Sequence, residues 1–192
     1  NFSLTWYAPK DWTIRPYYEH YFEDHSQMFG EYGWKDCLAG IEITFPKNRV
    51  IGSFLYEYIS TKDQTGPVYW DHTPEIPEQV SGTDNYYNHY IYAGWQHWGM
   101  GIGNPLLPGP IYNKNGQITF ISNRVLAHHI GFCGSPCQSL SYRMLLSYSR
   151  HWGTYDNPLN EIKKQFNSLF EVTYAPQQLK GWSFTVIRSY GS

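Results

Sequence analysis

Nowhere in this chain do about 18 consecutive residues stay apolar, so no helical segment could cross a bilayer. That excludes helical spans only. A membrane-crossing β-strand needs about 9–11 alternating residues and leaves a weak hydropathy signal. Charge is scarce as well: Asp, Glu, Lys and Arg make up 16% of the residues and nearly cancel, for a net charge of −2. No basic stripe is present, which argues against a nucleic-acid partner. Ala and Leu are sparse, and strong helix formers do not cluster. Cysteines number three. The chain starts at Asn1 with neither Met nor a signal-like segment, which reads as a mature form or a fragment.

What the chain has in abundance is aromatic side chains, 19% of the residues, including 18 Tyr and 8 Trp. With few helix formers, this is a β composition. The organising stretch runs from 123 to 158. Within it, Leu140, Tyr142, Met144, Leu146 and Tyr148 share one parity, and Ser141, Arg143, Ser147 and Ser149 the other, with Leu145 as the exception. Period two marks a strand with one apolar and one polar face. Similar alternation places strands over 2–7, 13–23, 36–45, 50–60, 118–132, 166–175 and 182–190. Pro16 costs its strand one ladder hydrogen bond, so local unpairing or a bulge is expected there.

About eight strands result, and the connections between them alternate short and long. The turns at 8–11, 46–49, 134–136 and 176–181 are short. The segments 24–35, 61–116 and 152–165 are long. In an up-and-down meander, alternate connections lie on the same side, so all short turns fall on one side and all long loops on the other. Outer-membrane barrels sort their loops in this way, with short periplasmic turns and long outer loops, and Tyr and Trp near strand ends suit their aromatic girdles. Soluble sandwiches and jelly rolls built from Tyr- and Trp-rich strands are the competing architecture.

The long region carries Tyr86, Tyr87 and His89, then Trp95, His97 and Trp98. Aromatic faces stack on the C–H faces of sugars, and Asn, Gln and His bond to hydroxyls, so this mixture suits a polysaccharide. The alternative is that these aromatics pack the loop into a lumen. His128 and His129 are adjacent, and on a strand they point to opposite faces, so they cannot share one metal in the usual way. Arg124, His128, His129 and Arg143 are expected to form a structural network in a polar lumen. Gly99 to Gly103 lacks the strand–loop–helix setting of a phosphate loop, and no nucleotide or other cofactor is implied. The loop carboxylates Asp63, Asp71, Glu75, Glu78 and Asp84 offer no distinguished pair for glycoside hydrolysis. No nucleophile-elbow signature is present, so no catalytic residue is assigned. Cys133 and Cys137 flank Gly134-Ser135-Pro136 at the expected turn, where their ends could approach closely enough to bridge. A lone pair at this spacing is a poor zinc site.

Gly103-Asn104-Pro105-Leu106, Asn123-Arg124-Val125, Ala127-His128-His129-Ile130-Gly131, Tyr142-Arg143, Ser147-Tyr148-Ser149-Arg150 and Trp152-Gly153-Thr154-Tyr155 resemble the C-terminal half of capsule assembly proteins of the Wzi type, in the version found in Bacteroides-like bacteria. The resemblance is good over 84–158 and extends elsewhere only as strand pattern. It implies a non-catalytic outer-membrane β-barrel that binds and organises exported capsular polysaccharide. It also implies a barrel larger than 192 residues can supply, so the chain would be a C-terminal portion. Two features depart from the family: upstream strands and any helical plug are missing, and the terminal Tyr-Gly-Ser is not an aromatic-ended barrel strand.

The sequence therefore leads to an all-β, antiparallel up-and-down transmembrane β-barrel, with residues 1–192 as one barrel region and a long extracellular or lumen-plugging loop at about 61–117. Its expected location is the outer membrane of a Gram-negative bacterium. Expected partners are surface polysaccharide, outer-membrane lipid and other outer-membrane proteins. Tyr86, Tyr87, His89, Trp95, His97 and Trp98 are the candidate sugar-facing set. The competing reading is a soluble secreted β-sandwich that binds or hydrolyses carbohydrate.

Overall fold

The computed structural model describes residues 1–21, 35–63, 85–88, 96–154, 157–179 and 181–192. The fold is all-β and antiparallel. Strands β1 (Phe2–Ser3), β2 (Trp6–Ala8), β3 (Trp12–His20), β4 (Cys37–Thr44) and β5 (Ser53–Ser60) are followed by a two-stranded hairpin, β6 (Gln96–His97) and β7 (Met100–Gly101). Four longer strands complete the chain: β8 (Val125–Cys137), β9 (Leu140–Gly153), β10 (Pro158–Tyr174) and β11 (Phe184–Gly191). All except the β6–β7 hairpin belong to one nine-stranded meander, ordered β1-β3-β4-β5-β8-β9-β10-β11, with β2 also on β3. The sheet is open. Its edges are the β1/β2 line and β11, and among the described residues no pairing closes it into a barrel.

The effect of Pro16 is local. Phe2 pairs with Tyr18 and Trp6 with Ile14 in one unbroken register. Between them, Leu4 N–H donates to the Pro16 carbonyl at 3.1 Å, while Pro16 has no N–H to return. The missing donor faces the sheet edge, which is where a strand tolerates proline. The β3–β4 ladder, with Pro16 opposite Ile41, continues undisturbed.

The registers carry the two-faced pattern of β9 across the whole sheet. On one face, Met144 lies beside Phe132 and Phe170, Phe132 beside Phe54, Phe54 beside Ile43, and Ile43 beside Ile14. One row along, Leu146, Ile130, Tyr56 and Ile41 follow one another. The next row reads Phe166, Tyr148, His128, Tyr58, Ala39, Tyr18 and Phe2, almost all aromatic. At the opposite end Tyr174 pairs with Phe184, and Trp12 meets Phe45 edge-on at 4.8 Å. Between these aromatic rims Arg188 is the lone charged residue of this face. Many of its large side chains lie open, with Trp6 at 57%, Phe170 at 48% and Phe184 at 52% exposure.

The other face is polar and internally bonded. Arg15 Nη2 meets Glu42 Oε2 at 2.6 Å, Arg143 Nη2 meets Glu171 Oε2 at 2.8 Å, and His129 Nδ1 lies 2.7 Å from Ser147 Oγ. The Tyr17 hydroxyl donates to Glu57 across β4. Its ring lies over Gly40, where an added Cβ would come within 2.3 Å of the ring, so a larger residue there would have to displace the ring. Leu145, the exception to the alternation, has company: Leu55 and Leu169 stand in its row, on either side of Gly131 and β9.

Three expectations about connections need correction. The β8–β9 turn is at Gln138-Ser139 rather than 134–136, because β8 runs on through Cys137 with a bulge between Gly134 and Cys137. Extended backbone sets Cys133 and Cys137 roughly 12 Å apart along the strand, beyond the reach of a disulfide, and both are free thiols. The long loop expected at 152–165 is mostly strand: β9 reaches Gly153, β10 begins at Pro158, and only 154–157 connects them. Residues 158–165 carry no alternation because nearly all are exposed. The strand expected from 118 begins at Val125 instead. Connections 21–36, 61–124 and 154–157 thus share one end of the sheet, and 9–11, 45–52, 138–139 and 175–183 the other. Sorting by length holds along the meander from β2 through β9 and fails after it, where 154–157 is shorter than 175–183.

Candidate functional site

Buried residues gather at the loop end. Leu107, Phe120, Val125 and Ala127 form one apolar cluster, joined by Tyr87 and Leu106. Val125 and Ala127 have the parity of the polar face, since they pair with His151 and Ser149. The segment bearing Leu107 and Phe120 therefore covers the polar face where β8 begins. Phe120 is held by a side chain acting as a strand partner: its N–H donates to Asn88 Oδ1 at 2.8 Å, and its carbonyl accepts from Asn88 Nδ2 at 2.7 Å. This substitution satisfies a backbone that lacks a ladder.

Buried polar groups pin the loop to the strands. Thr61 Oγ1 donates to the Asn123 carbonyl at 2.6 Å and accepts from Val125 N–H at 3.0 Å. Asn123 Nδ2 donates to Asn85 Oδ1 and to the Tyr86 carbonyl, each at 2.6 Å. Asp36, fully buried, accepts Asp63 N–H on Oδ1 at 3.0 Å and the Tyr86 hydroxyl on Oδ2 at 3.1 Å. Buried polar atoms need such partners because each one left unsatisfied costs about 1–3 kcal/mol. None of Asp36, Thr61 or Asn88 stood out in the sequence, since single polar residues outside a periodic run leave no signal.

The candidate sugar-facing set divides. Tyr86 and Tyr87 point inward: Tyr86 is buried on Asp36, and Tyr87 packs on Phe120 at 5.0 Å with its hydroxyl donating to the Ile102 carbonyl at 3.2 Å. Burial pushes the Tyr87 phenol up, and burial followed by the proximity of Tyr87 does the same for Tyr21. His97 and Trp98 point outward at the tip of the β6–β7 hairpin, with Trp98 85% exposed. Trp98 and Gly99 both have positive φ, 52° and 76°, the requirement of a two-residue primed turn. An aromatic residue in this region costs about 1–2 kcal/mol, which the hairpin recovers by docking: Ile111 N–H donates to the Gly99 carbonyl at 2.9 Å and Gln96 Nε2 to the Ile118 carbonyl at 2.9 Å. His89 and Trp95 lie outside the described residues.

The expected lumen network also divides. His129 and Arg143 are on the polar face with the partners given above. His128 is on the apolar face, its Nδ1 2.8 Å from the Tyr56 hydroxyl and its ring beside Tyr58. The cause is strand parity, which separates neighbours by a face. Arg124 sits beyond the strand ends, with Nε donating to the Lys62 carbonyl at 2.9 Å. A depression of about 610 Å³ lies at the opposite end of the sheet, between Arg49, Cys133, Arg143 and Glu171. It is the open mouth of the polar face and is remote from the loop aromatics. No three His, Cys, Asp or Glu side chains among the described residues converge as metal ligands. Compared with protein-family models, curated proteins and solved structures, the chain matches none.

Proposed function

We propose that this chain forms part of the wall of an outer-membrane β-barrel of a Gram-negative bacterium, and that its loop end binds exported capsular or other surface polysaccharide without catalysing a reaction. The observation that carries the membrane reading is the contrast between the faces. One is an apolar band, rimmed by aromatics and interrupted by a single charge. The other is laced with ion pairs and hydrogen bonds. Leu140 to Tyr148 spans roughly 27 Å of strand, or about 21 Å of bilayer at a tilt near 40°, close to the band of such barrels. An apolar face this wide in water would need a covering layer.

The polysaccharide reading rests on Trp98 and His97, raised on a docked hairpin beside Asn- and Gly-rich backbone. Exposed rings of this kind stack on sugars. Tyr86 and Tyr87 hold the platform from beneath. Two measurements test the proposal. The protein should partition with membranes and stay soluble only in detergent; a detergent-free soluble monomer refutes the barrel. Surface polysaccharide should bind the intact protein and bind Trp98→Ala at least several-fold more weakly. Equal binding by both refutes the hairpin as the sugar platform.

A further inference from the structure

Cations are all but absent from the apolar face until its loop end, where they collect. Arg150 and Lys164 are directly opposed Cα partners on β9 and β10, one step beyond the aromatic row of Tyr148 and Phe166. Like charges directly opposed across a ladder repel. One step further, Trp152 lies between two cations: Lys62 Nζ is 5.5 Å and the Arg150 guanidinium 5.3 Å from its ring centroid. Arg124 joins the same end, its Nε bonded to the Lys62 carbonyl. Ion pairs among the described residues are Arg15–Glu42 and Arg143–Glu171, both elsewhere, so Lys62, Arg150 and Lys164 have no acidic partner there. Arg150 Nε is buried and finds no hydrogen-bond acceptor among the described residues. Two cations directly opposed across the ladder, with a third on the same aromatic ring and no acidic partner among the described residues, are the environment an anionic oxygen would complete.

We propose that Lys62, Arg150 and Lys164, arranged around Trp152, bind the phosphate of a glycolipid in the outer leaflet. The inference rests on the barrel reading above, which puts this rim at the level of the outer headgroups. The same chemistry recommends a phosphorylated lipid over a soluble anion. The cluster sits on the apolar face, directly above aromatics and acyl-facing side chains, so a ligand carrying both phosphate and acyl chains satisfies both parts at once. Guanidinium and ammonium groups supply charge-assisted hydrogen bonds, and Trp152 keeps the two cations extended over its face.

The test uses detergent-purified, vesicle-competent protein and native mass spectrometry with three probes: bisphosphorylated lipid A, lipid A stripped of its phosphates, and inorganic phosphate. Wild type should retain the phosphorylated lipid and neither of the others. Arg150→Gln/Lys164→Gln should bind it roughly 30-fold more weakly, at about fivefold per cation removed near an anionic surface. Lys62→Gln, a milder change for folding, should lose about fivefold. Lys47→Gln/Arg49→Gln, at the opposite rim, should bind as wild type. Undiminished binding by the first two variants, equal retention of the dephosphorylated lipid, or equal retention of inorganic phosphate overturns the proposal. Flotation with phosphatidylcholine vesicles separates the two readings. Wild type that does not insert refutes the barrel; wild type that inserts but does not prefer the phosphorylated lipid refutes this site alone.

Discussion

A charge at Met144 and the same charge at Ser147 should have opposite consequences. Met144 stands midway between the aromatic rows of its strand, with Phe132 and Phe170 as cross-strand neighbours. In the proposed barrel it would lie roughly 10 Å from either rim along the bilayer normal, given about 3.4 Å per residue and a tilt near 40°. Arginine at that depth on a lipid-facing strand costs about 2–4 kcal/mol. Met144→Arg should therefore shift the folded-to-unfolded ratio in vesicles by roughly 30- to 700-fold. Ser147 occupies the other face between His129 and Asn167. Ser147→Arg gives up the hydrogen bond to His129 and gains polar surroundings that include Glu57, one strand beyond His129. Its cost should stay under about 1.5 kcal/mol. The assay is urea titration of vesicle-inserted protein, read by the mobility of folded and unfolded forms on gels. Equal midpoints for Met144→Arg and wild type, or a larger loss for Ser147→Arg, would refute the assignment of faces.

Other outcomes follow from the loop and the turns. Asn123→Ala removes two 2.6 Å hydrogen bonds from a buried side chain and should destabilise the loop by about 1–3 kcal/mol, read as faster amide exchange at Tyr86 and Phe120. Gly40→Val forces the Tyr17 ring off its seat, breaks the bond to Glu57, and should lower the unfolding midpoint far more than Gly52→Ala, whose added Cβ would meet only ordinary contacts at 3.5 and 3.7 Å. Cys137 should react with a thiol reagent in the folded protein, and mass spectrometry should find no Cys133–Cys137 bridge under non-reducing conditions.

The alternation of β9 was legible because Tyr, Leu and Met fill one parity and Ser and Arg the other. That pattern survives only where the two faces meet different surroundings. It vanishes at 158–165, where both faces are exposed, and a strand there reads as a loop. It misleads at 118–124, where alternating Ile118, Phe120 and Ser122 belong to a loop held by Asn88 and Asn113 side chains instead of a ladder. It also placed the β8–β9 turn too early, since Gly134 and Pro136 signal a turn by type while the structure uses them in a bulge beside 49–52.

The hairpin tip and the anchoring of the loop lay beyond the sequence for a different reason. Aromatic, Asn-rich composition marked the region as a candidate site, but whether Tyr86 or Trp98 faces outward depends on which ring Asp36 and Phe120 capture, and those partners lie far along the chain. The basic rim is the clearest case. Lys62, Arg150 and Lys164 are scattered in the sequence and unremarkable singly; only the pairing registers bring them to one end of one face. Composition and period-two alternation alone determined that this protein is a β-sheet with two chemically distinct faces, because both are local properties of the strand. The open edges, the inward and outward division of the aromatics and the cation cluster were decided by tertiary structure, because each depends on which distant residues the register sets side by side.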